Sequence, residues 1–454
     1  MRKNLLFGFL LLVFHVGLLL GQVRQVWVAS YNSPGIGTSK DNHDRASAIA
    51  VDAAGNVYVT GRSTGVDTNS DYATVKYDPD GNQLWVARYD GPGDSIDKAT
   101  AIALDALGNV YVTGGSTGAG TDLDYATIKY DADGNQLWAA RYNGPGNGHD
   151  LATALAVDAD GNVYVTGESY GLQATNLDYA TIKYDPDGQP LWVARYDGPG
   201  SYWDTASALA LDAQGNVFVT GGSVGVNTYQ DYATIKYDAD GNQLWVARYD
   251  GPGHGSDLAT ALALDADGNV YVTGASQGAD YDYATIKYDA DGNQLWVARY
   301  DGPGHSFDVA YALAVDALGN VHVTGASWNR GTDLDYATIK YNANGSQQWV
   351  ARYDGPHHAG DIAWAVAVDT LGNVYVTGQS IGSVSTYEDY ATIKYDADGN
   401  QLWLYRYNGP ASGPDAAHAI ALDTLGNVYV TGASCLSGPY PRCMGYATIK
   451  YVQK

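Results

Sequence analysis

The sequence predicts an all-β fold, an eight-bladed β-propeller of four-stranded antiparallel blades. Three observations carry the prediction. The string Gly-Asn-Val-Tyr-Val-Thr-Gly begins at Gly55 and recurs from Gly108, Gly161, Gly215, Gly268, Gly319, Gly372 and Gly426, at spacings of 51 to 54 residues. Each unit holds four short β-rich segments parted by turn signals, and no segment has an amphipathic helical period; that is propeller arithmetic. The third observation lies at the ends. The string Leu-Trp-Val-Ala-Arg-Tyr centres on Trp85, Trp138, Trp192, Trp245, Trp296, Trp349 and Trp403, and the last unit stops before its own copy. The missing copy is Gln25-Val-Trp27-Val-Ala-Ser-Tyr31. The N-terminal strand is therefore expected to complete the last blade and close the ring, a device that a linear solenoid does not need.

The elements of a unit follow in order. The first strand opens on an Asp (Asp44, Asp97, Asp150, Asp204, Asp257, Asp308, Asp361, Asp415) and reads Asp-x-Ala-x-Ala. An Asp-x-x-Gly-Asn turn follows, in which Gly supplies a positive φ and Asp or Asn caps a tight hairpin. The second strand is Val-Tyr-Val-Thr-Gly, with Phe218 and His322 replacing Tyr in two copies. The third strand is Asp-Tyr-Ala-Thr-Ile-Lys-Tyr, an Asp-x-Asp-Gly-Asn turn follows it, and the Trp strand ends the unit. Before the first unit, Arg2 and Lys3 precede an apolar run from Leu5 to Leu20 that ends at Gly21-Gln22. This is read as a signal peptide over 1–21, with one propeller domain over 22–454. The chain is then exported, in the periplasm, on the cell surface or released. It is expected to act as a monomer with no stable membrane insertion after cleavage.

Composition agrees with this reading. Among 454 residues there are 48 Asp but 2 Glu, 38 Tyr but 5 Phe, and 56 Gly. Turns favour Asp and Gly, strands favour Tyr and Val, and helices favour Glu and Leu. The net charge of −25 argues against nucleic acid as a partner. Eight Lys and seven Arg sit in repeated slots, where pairing with nearby Asp is expected, so few cations remain for a positive patch. Cys435 and Cys443 are the only cysteines. A local disulfide is expected in an exported chain; free thiols or half of a metal site are the alternatives, and no second Cys pair exists for zinc.

The repeat string followed by Tyr-Ala-Thr-Ile-Lys-Tyr-Asp-x-Asp-Gly resembles the bacterial SBBP β-propeller repeat, over residues 22–454. That resemblance implies a propeller in exported proteins and no particular chemistry. A looser likeness is to eight-bladed quinoprotein-type propellers, whose blades carry Gly-x-x-x-Trp; Gly81 to Trp85 and Gly134 to Trp138 have that spacing.

A residue present in every blade does a job that every blade needs. Gly-x-Ser-x-Gly, as at Gly114–Gly118, marks a serine nucleophile elsewhere, but that elbow needs a strand-to-helix turn, and here it recurs six times. The Asp131-Ala-Asp133-Gly-Asn135 type of turn is read as a hairpin, with weak Ca2+ binding as the alternative; it lacks the ligand set of a calcium loop. The head Asp residues are read as local caps on the Gly-Pro loop, or else as a carboxylate ring at the channel mouth.

Functional signal is expected where blades differ. The third residue after the head Asp is Ser47, Thr100, Thr153, Ser207 and Thr260, then Tyr311, Trp364 and His418. With Trp203, His322, Trp328, His357 and His358 these rings form the candidate ligand-binding set. Trp and Tyr platforms suit sugar rings or an apolar peptide anchor. The competing reading is drifted packing that plugs a wide channel. The leading expectation is a binding or scaffold module that engages a glycan, peptide or protein on one face. The alternative is a polysaccharide lyase or hydrolase, with His418, His357, His358, Tyr311 and Asp361 as acid/base candidates. A quinone- or metal-dependent oxidoreductase comes third.

Overall fold

The computed structural model describes residues 23–33, 44–65, 69–172, 176–382, 387–411, 413–438, 440 and 443–453. The expected leader, 1–21, lies outside the described residues. Eight four-stranded antiparallel sheets are present. From the inside outward, blade 1 consists of Arg45–Val51, Val57–Thr64, Ser70–Tyr77 and Gln83–Tyr89. The inner strands of blades 2 to 8 are Asp97–Leu104, Asp150–Val157, Asp204–Leu211, Asp257–Leu264, Asp308–Val315, Asp361–Val368 and Asp415–Leu422. Each inner strand touches the inner strand on either side, and that of blade 8 touches that of blade 1, so together they bound a central channel. Val23–Tyr31 pairs with Met444–Gln453 and becomes the outer strand of blade 8. The ring is closed by the N-terminal strand, as the sequence predicts.

The blades dock through their repeated aromatics. Trp85 lies between Tyr58 of its own blade (6.1 Å) and Tyr130 of the next (6.4 Å). Its Nε1 donates to Ala132 O at 3.1 Å, a carbonyl in the next blade's outer turn. Gly134 of that turn has φ +87°, and a Cβ placed on it would lie 2.7 Å from Trp85 Cδ2. The Gly-x-x-x-Trp spacing therefore holds two contacts: the Gly seats the preceding blade's Trp, and the Trp sits on the following blade's Gly. Lys76 Nζ donates to the same Ala132 carbonyl at 3.0 Å and lies over the Tyr58 ring. The expected Lys–Asp pairing gives way to this carbonyl and π contact, because Lys points across the blade boundary. Lys287 does have Asp265 at 3.5 Å.

The Arg slot does pair. Arg88 reaches Asp71 at 2.6 Å and donates to Ser63 Oγ (2.8 Å) and to Tyr31 OH of the neighbouring blade (2.7 Å). Ser63 belongs to the Gly-x-Ser-x-Gly string, so this serine is an acceptor in an inter-blade network. The head Asp residues are buried caps. Asp97 accepts from Gly91 N at 2.8 Å and from Thr117 N at 3.0 Å, which ties the Gly-Pro loop to the end of the second strand. They do not form a carboxylate ring.

The closing seam differs from the other seven. The outer strand of blade 8 is Val23–Tyr31 and is not joined to Met444–Gln453 by a hairpin, so among the described residues no turn carbonyl stands there. The Gln453 side chain accepts from Lys394 Nζ and donates to Tyr375 OH (2.7 Å) and Gly426 O (3.1 Å). Trp403 Nε1, buried, has no hydrogen-bond partner among the described residues. Cys435 and Cys443 form a disulfide beside the second strand of blade 8.

Candidate functional site

Every inner strand carries a bulge three residues after its head Asp. In blade 2, Ala99 pairs with Gly114 and Ala101 with Thr113, leaving Thr100 unpaired between them. A bulge re-aims its side chain. In blades 2, 3 and 5 the re-aimed residue stitches the ring. Thr100 Oγ1 reaches Thr113 O at 3.1 Å and Ala152 O of blade 3 at 2.8 Å. Thr153 reaches Ala206 O at 2.9 Å, and Thr260 reaches Ala310 O at 2.9 Å.

In blades 6, 7 and 8 the same bulge holds Tyr311, Trp364 and His418. These rings touch in series around the channel: Tyr311 to Trp364 at 4.5 Å between centroids, and Trp364 to His418 at 6.4 Å. Trp364 Nε1 donates to Gln379 Oε1 at 3.3 Å. All three are half-buried. The series continues into blade 1, where Arg45 donates to His418 Nδ1 at 3.3 Å. Because Arg can only donate, Nδ1 is the acceptor and the imidazole is neutral. Burial, then the Arg45 charge, hold the His418 pKa down to about 3.

Arg45 stands directly opposite Arg62 in the strand pairing. Lys98, at the equivalent place in blade 2, is depressed first by burial and also by Arg62, while Glu168 of blade 3 opposes that shift. Glu168 in turn has His149 Nδ1 at 3.5 Å. An arc of rings and charges thus runs from blade 6 through blades 7, 8, 1 and 2 to blade 3. Arg45, Arg62 and Lys98 are cations outside the repeated Lys and Arg slots, and Arg45 and Arg62 stand opposite one another across the strand pair. Their positions in the repeat carried the signal, since Leu151, Thr205, Leu258, Val309, Ile362 and Ala416 occupy the slot of Arg45 and Lys98 in the other blades.

The remaining sequence candidates lie elsewhere. Trp203 is exposed and stacks on Tyr202 at 5.6 Å, in the loop before blade 4. The Trp328 ring packs on Gly304 in the loop before blade 6. His357 is exposed in the loop before blade 7. His358 has φ 52° and holds Asp354 at 2.5 Å, repeating the arrangement of His254 with Asp250 and His305 with Asp301. His322 is fully buried at the other end of its strand. It takes the blade-docking place of Tyr, 6.1 Å from Trp349 and 3.4 Å from Asp316, and burial holds its pKa down to about 4.

The Asp-x-Asp-Gly-Asn turns spend their first Asp on the hairpin: Asp131 accepts from Asp133 N, Asn135 N and Asn135 Nδ2. Carboxylates crowd at another place. Oxygens of Asp71, Asp90 and Asp97 lie within 4.8 Å of one another, an arrangement that recurs at five blade junctions among the described residues. Asp71 is held by Arg88, and Asp97 by backbone N–H groups. Partial burial and these two carboxylates push Asp90 up to about 6. Burial and crowding together account for that shift, which assigns no ion.

A family model described as Outer membrane protein assembly factor BamB matches residues 179–424, more than half of the chain. The Beta-propeller repeat model, SBBP, matches residues 36–67. Among curated proteins, the chain is 23% identical over 455 residues to the uncharacterized WD repeat-containing protein L264 of Acanthamoeba polyphaga mimivirus, covering 79% of this chain and 31% of that protein. It is 27% identical over 250 residues to the tRNA nuclease WapA of Bacillus subtilis (strain 168), covering 50% of this chain and 10% of WapA. The chain thus spans about a third or less of the length of these relatives. Among solved structures, it is similar to the periplasmic gluconolactonase PpgL of Pseudomonas aeruginosa, with 17% identity, a TM-score of 0.48, and coverage of 80% of this chain and 98% of that one. The chain carries the SBBP repeat and belongs to the propeller family described as Outer membrane protein assembly factor BamB.

Proposed function

We propose that this protein is an exported binding module that holds a glycan at the channel mouth, with a sugar ring lying on Trp364 and Tyr311. One observation carries the reading. Blades 2, 3 and 5 use the bulge for a hydroxyl that stitches two blades, and blades 6 to 8 give up that stitch for three rings that touch in series. A half-buried ring pair facing a channel offers an apolar face with polar edges, which suits a pyranose. Export is supported by the disulfide, which persists in oxidising compartments, and by the family. The enzyme reading draws less support. His418 is neutral down to about pH 3, far from the range useful to a general acid near neutrality, and the Asp361 carboxylate is turned to Gly355 N.

A second reading, docking of a protein partner, is favoured by one observation. Leu318, Leu371 and Leu425 are 81%, 78% and 85% exposed at the turn tips of three consecutive blades, on the opposite face. The matched family's description names an assembly factor, which fits such a surface. The two readings separate by mutation. On a glycan array, Trp364→Ala is expected to lose retention while Trp85→Ala keeps it and lowers the melting temperature. Equal loss of retention in both variants would sink the glycan reading.

A further inference from the structure

We infer that the chain binds two Ca2+ ions, one held by Asp231, Asp250 and Asp257 where blade 4 meets blade 5, and one by Asp335, Asp354 and Asp361 where blade 6 meets blade 7. Neither site shares a residue with the ring series of the proposed glycan site.

The topology brings the three carboxylates together. Tyr232 and Tyr249 form the last pair between the third and outer strands of blade 4. Asp231 and Asp250 stand one step beyond that pair, side by side at the strand ends. Asp257 heads the next blade and accepts at 2.7 Å from Gly251 N, the residue after Asp250. One oxygen from each of the three lies within 4.8 Å of the others. The same steps place Asp335 and Asp354 beyond the Tyr336–Tyr353 pair, with Asp361 accepting from Gly355 N.

Crowded carboxylates alone assign no ion; buried oxygens without a donor do. Asp231 is 4% exposed and Asp335 2%. Each gives Oδ2 to an arginine, Arg248 or Arg352, at 2.7 Å. Each keeps Oδ1 out of solvent with no hydrogen-bond partner among the described residues. Asp250 and Asp354 repeat the pattern: Oδ2 meets the exposed His254 or His358, and Oδ1 is buried without a partner. With each Oδ2 committed outward, Oδ1 is the oxygen that each carboxylate turns to the cluster. Buried acceptors that face one another need a donor or a cation. Three carboxylates against one guanidinium leave two negative charges, matched by one divalent ion. The cluster oxygens are hard ligands with no Cys or His among them, which suits Ca2+ over a transition metal. Mg2+ demands near-ideal octahedral ligands, whereas Ca2+ accepts an irregular set completed by water. Three other junctions carry the same Asp trio, but among the described residues only these two hold a pair of such oxygens. Asp124 and Asp389 also leave Oδ1 without a partner, beside Asn143 and Asn408 in the Asp250 slot. There the third charge is gone and an amide brings N–H donors, so no ion is assigned.

Titration calorimetry with CaCl2 near neutral pH tests this on the chain stripped with EDTA and dialysed. The wild type should bind two Ca2+ per chain with a Kd of about 0.1–1 mM, the range of extracellular calcium modules. Asp250→Asn and Asp354→Asn copy the residue that two other junctions already use, so each should melt in EDTA no lower than the wild type. Each should remove one ion and keep the other. In about 10 mM CaCl2 the wild-type melting temperature should rise by about 3 °C over EDTA, and that of the double variant should stay put. An equal rise in MgCl2 would overturn the calcium assignment in favour of screening of the acidic chain. No calcium binding by the wild type would overturn the inference and leave a shared proton between the carboxylates. Undiminished binding by the double variant would overturn it too, moving the ions to the Asp-x-Asp-Gly-Asn turns. So would loss of both ions in one single variant, which would report a general disturbance and not two ligand sets.

Discussion

Two glycines of blade 2 separate backbone strain from blade docking. Gly108 and Gly134 have nearly the same positive φ, +82° and +87°. A Cβ on Gly108 meets only Ala132 Cβ at 3.6 Å, whereas one on Gly134 lies 2.7 Å from Trp85 Cδ2. Gly108→Ala therefore bears only the left-handed backbone penalty, about 1–2 kcal/mol. Gly134→Ala bears that penalty plus overpacking of about 1–3 kcal/mol. The Trp85 ring has little room to yield, being held between Tyr58 and Tyr130 and by its bond to Ala132 O. At about 2.1 cal/mol/K per residue, a ring of this size loses roughly 1 °C of melting temperature per kcal/mol if it melts as one unit. Scanning calorimetry should then place Gly134→Ala about 1–3 °C below Gly108→Ala, and Trp85→Ala should abolish the difference. Equal melting temperatures for the two glycine variants would refute the reading of Gly134 as the seat of the preceding blade's Trp.

Three further outcomes are expected. Trp364→Thr places in blade 7 the hydroxyl that blades 2, 3 and 5 use, so it should raise the melting temperature while removing glycan retention; a lowered melting temperature would show that Trp364 is packing. Arg141→Ala leaves the buried Asp124 without its 2.8 Å partner and should cost about 3 kcal/mol in urea unfolding; Ser116→Ala, which removes one acceptor of Arg141, should cost about 1 kcal/mol. The His418 imidazole should stay neutral from pH 8 to 5 by NMR, and Arg45→Gln should move its titration upward, in part only, because burial is the larger cause. Its folded pKa lies below the unfolded value of about 6.5, so the unfolded chain takes the proton first. Its stabilising contribution is then present above pH ~6.5 and lost as pH falls from there toward 3, and His418→Gln should flatten that slope. A wild-type titration near pH 6.5 would contradict the burial of this ring and its Arg45 contact.

Much of the fold was legible because eight near-identical units repeat every side chain's job. The absent Trp strand at the end and its copy around Trp27 foretold closure. The recurrence of Ser63 and its equivalents argued against a nucleophile, and the structure makes the serine an Arg acceptor. What the period hid is which blade a residue serves. Gly134 and Trp138 look like one local motif, yet each packs on a different neighbour. The Lys slot looked like half of an ion pair, yet Lys76 crosses the boundary to a carbonyl. His322 looked like a break in symmetry, but it sits in the buried place of a Tyr, so its oddness is absorbed by packing. The pairing of Arg45 with Arg62 was missed because the two stand seventeen positions apart in sequence. The contact of Arg45 with His418 spans 373 positions and exists only because the ring closes. The bulge was equally invisible in the sequence. It decides that the residue three after the head Asp turns to its neighbours across the blade boundary, where Tyr311, Trp364 and His418 meet.

The most direct test is a crystal structure with a bound oligosaccharide. The account predicts one sugar ring within stacking distance, about 4 Å, of Trp364 and Tyr311, at the mouth between blades 6 and 8. Density for the sugar over Tyr202 and Trp203, at the Trp328 loop, or at the Leu318, Leu371 and Leu425 turn tips of the opposite face, with the Tyr311–Trp364 pair bare, would contradict it.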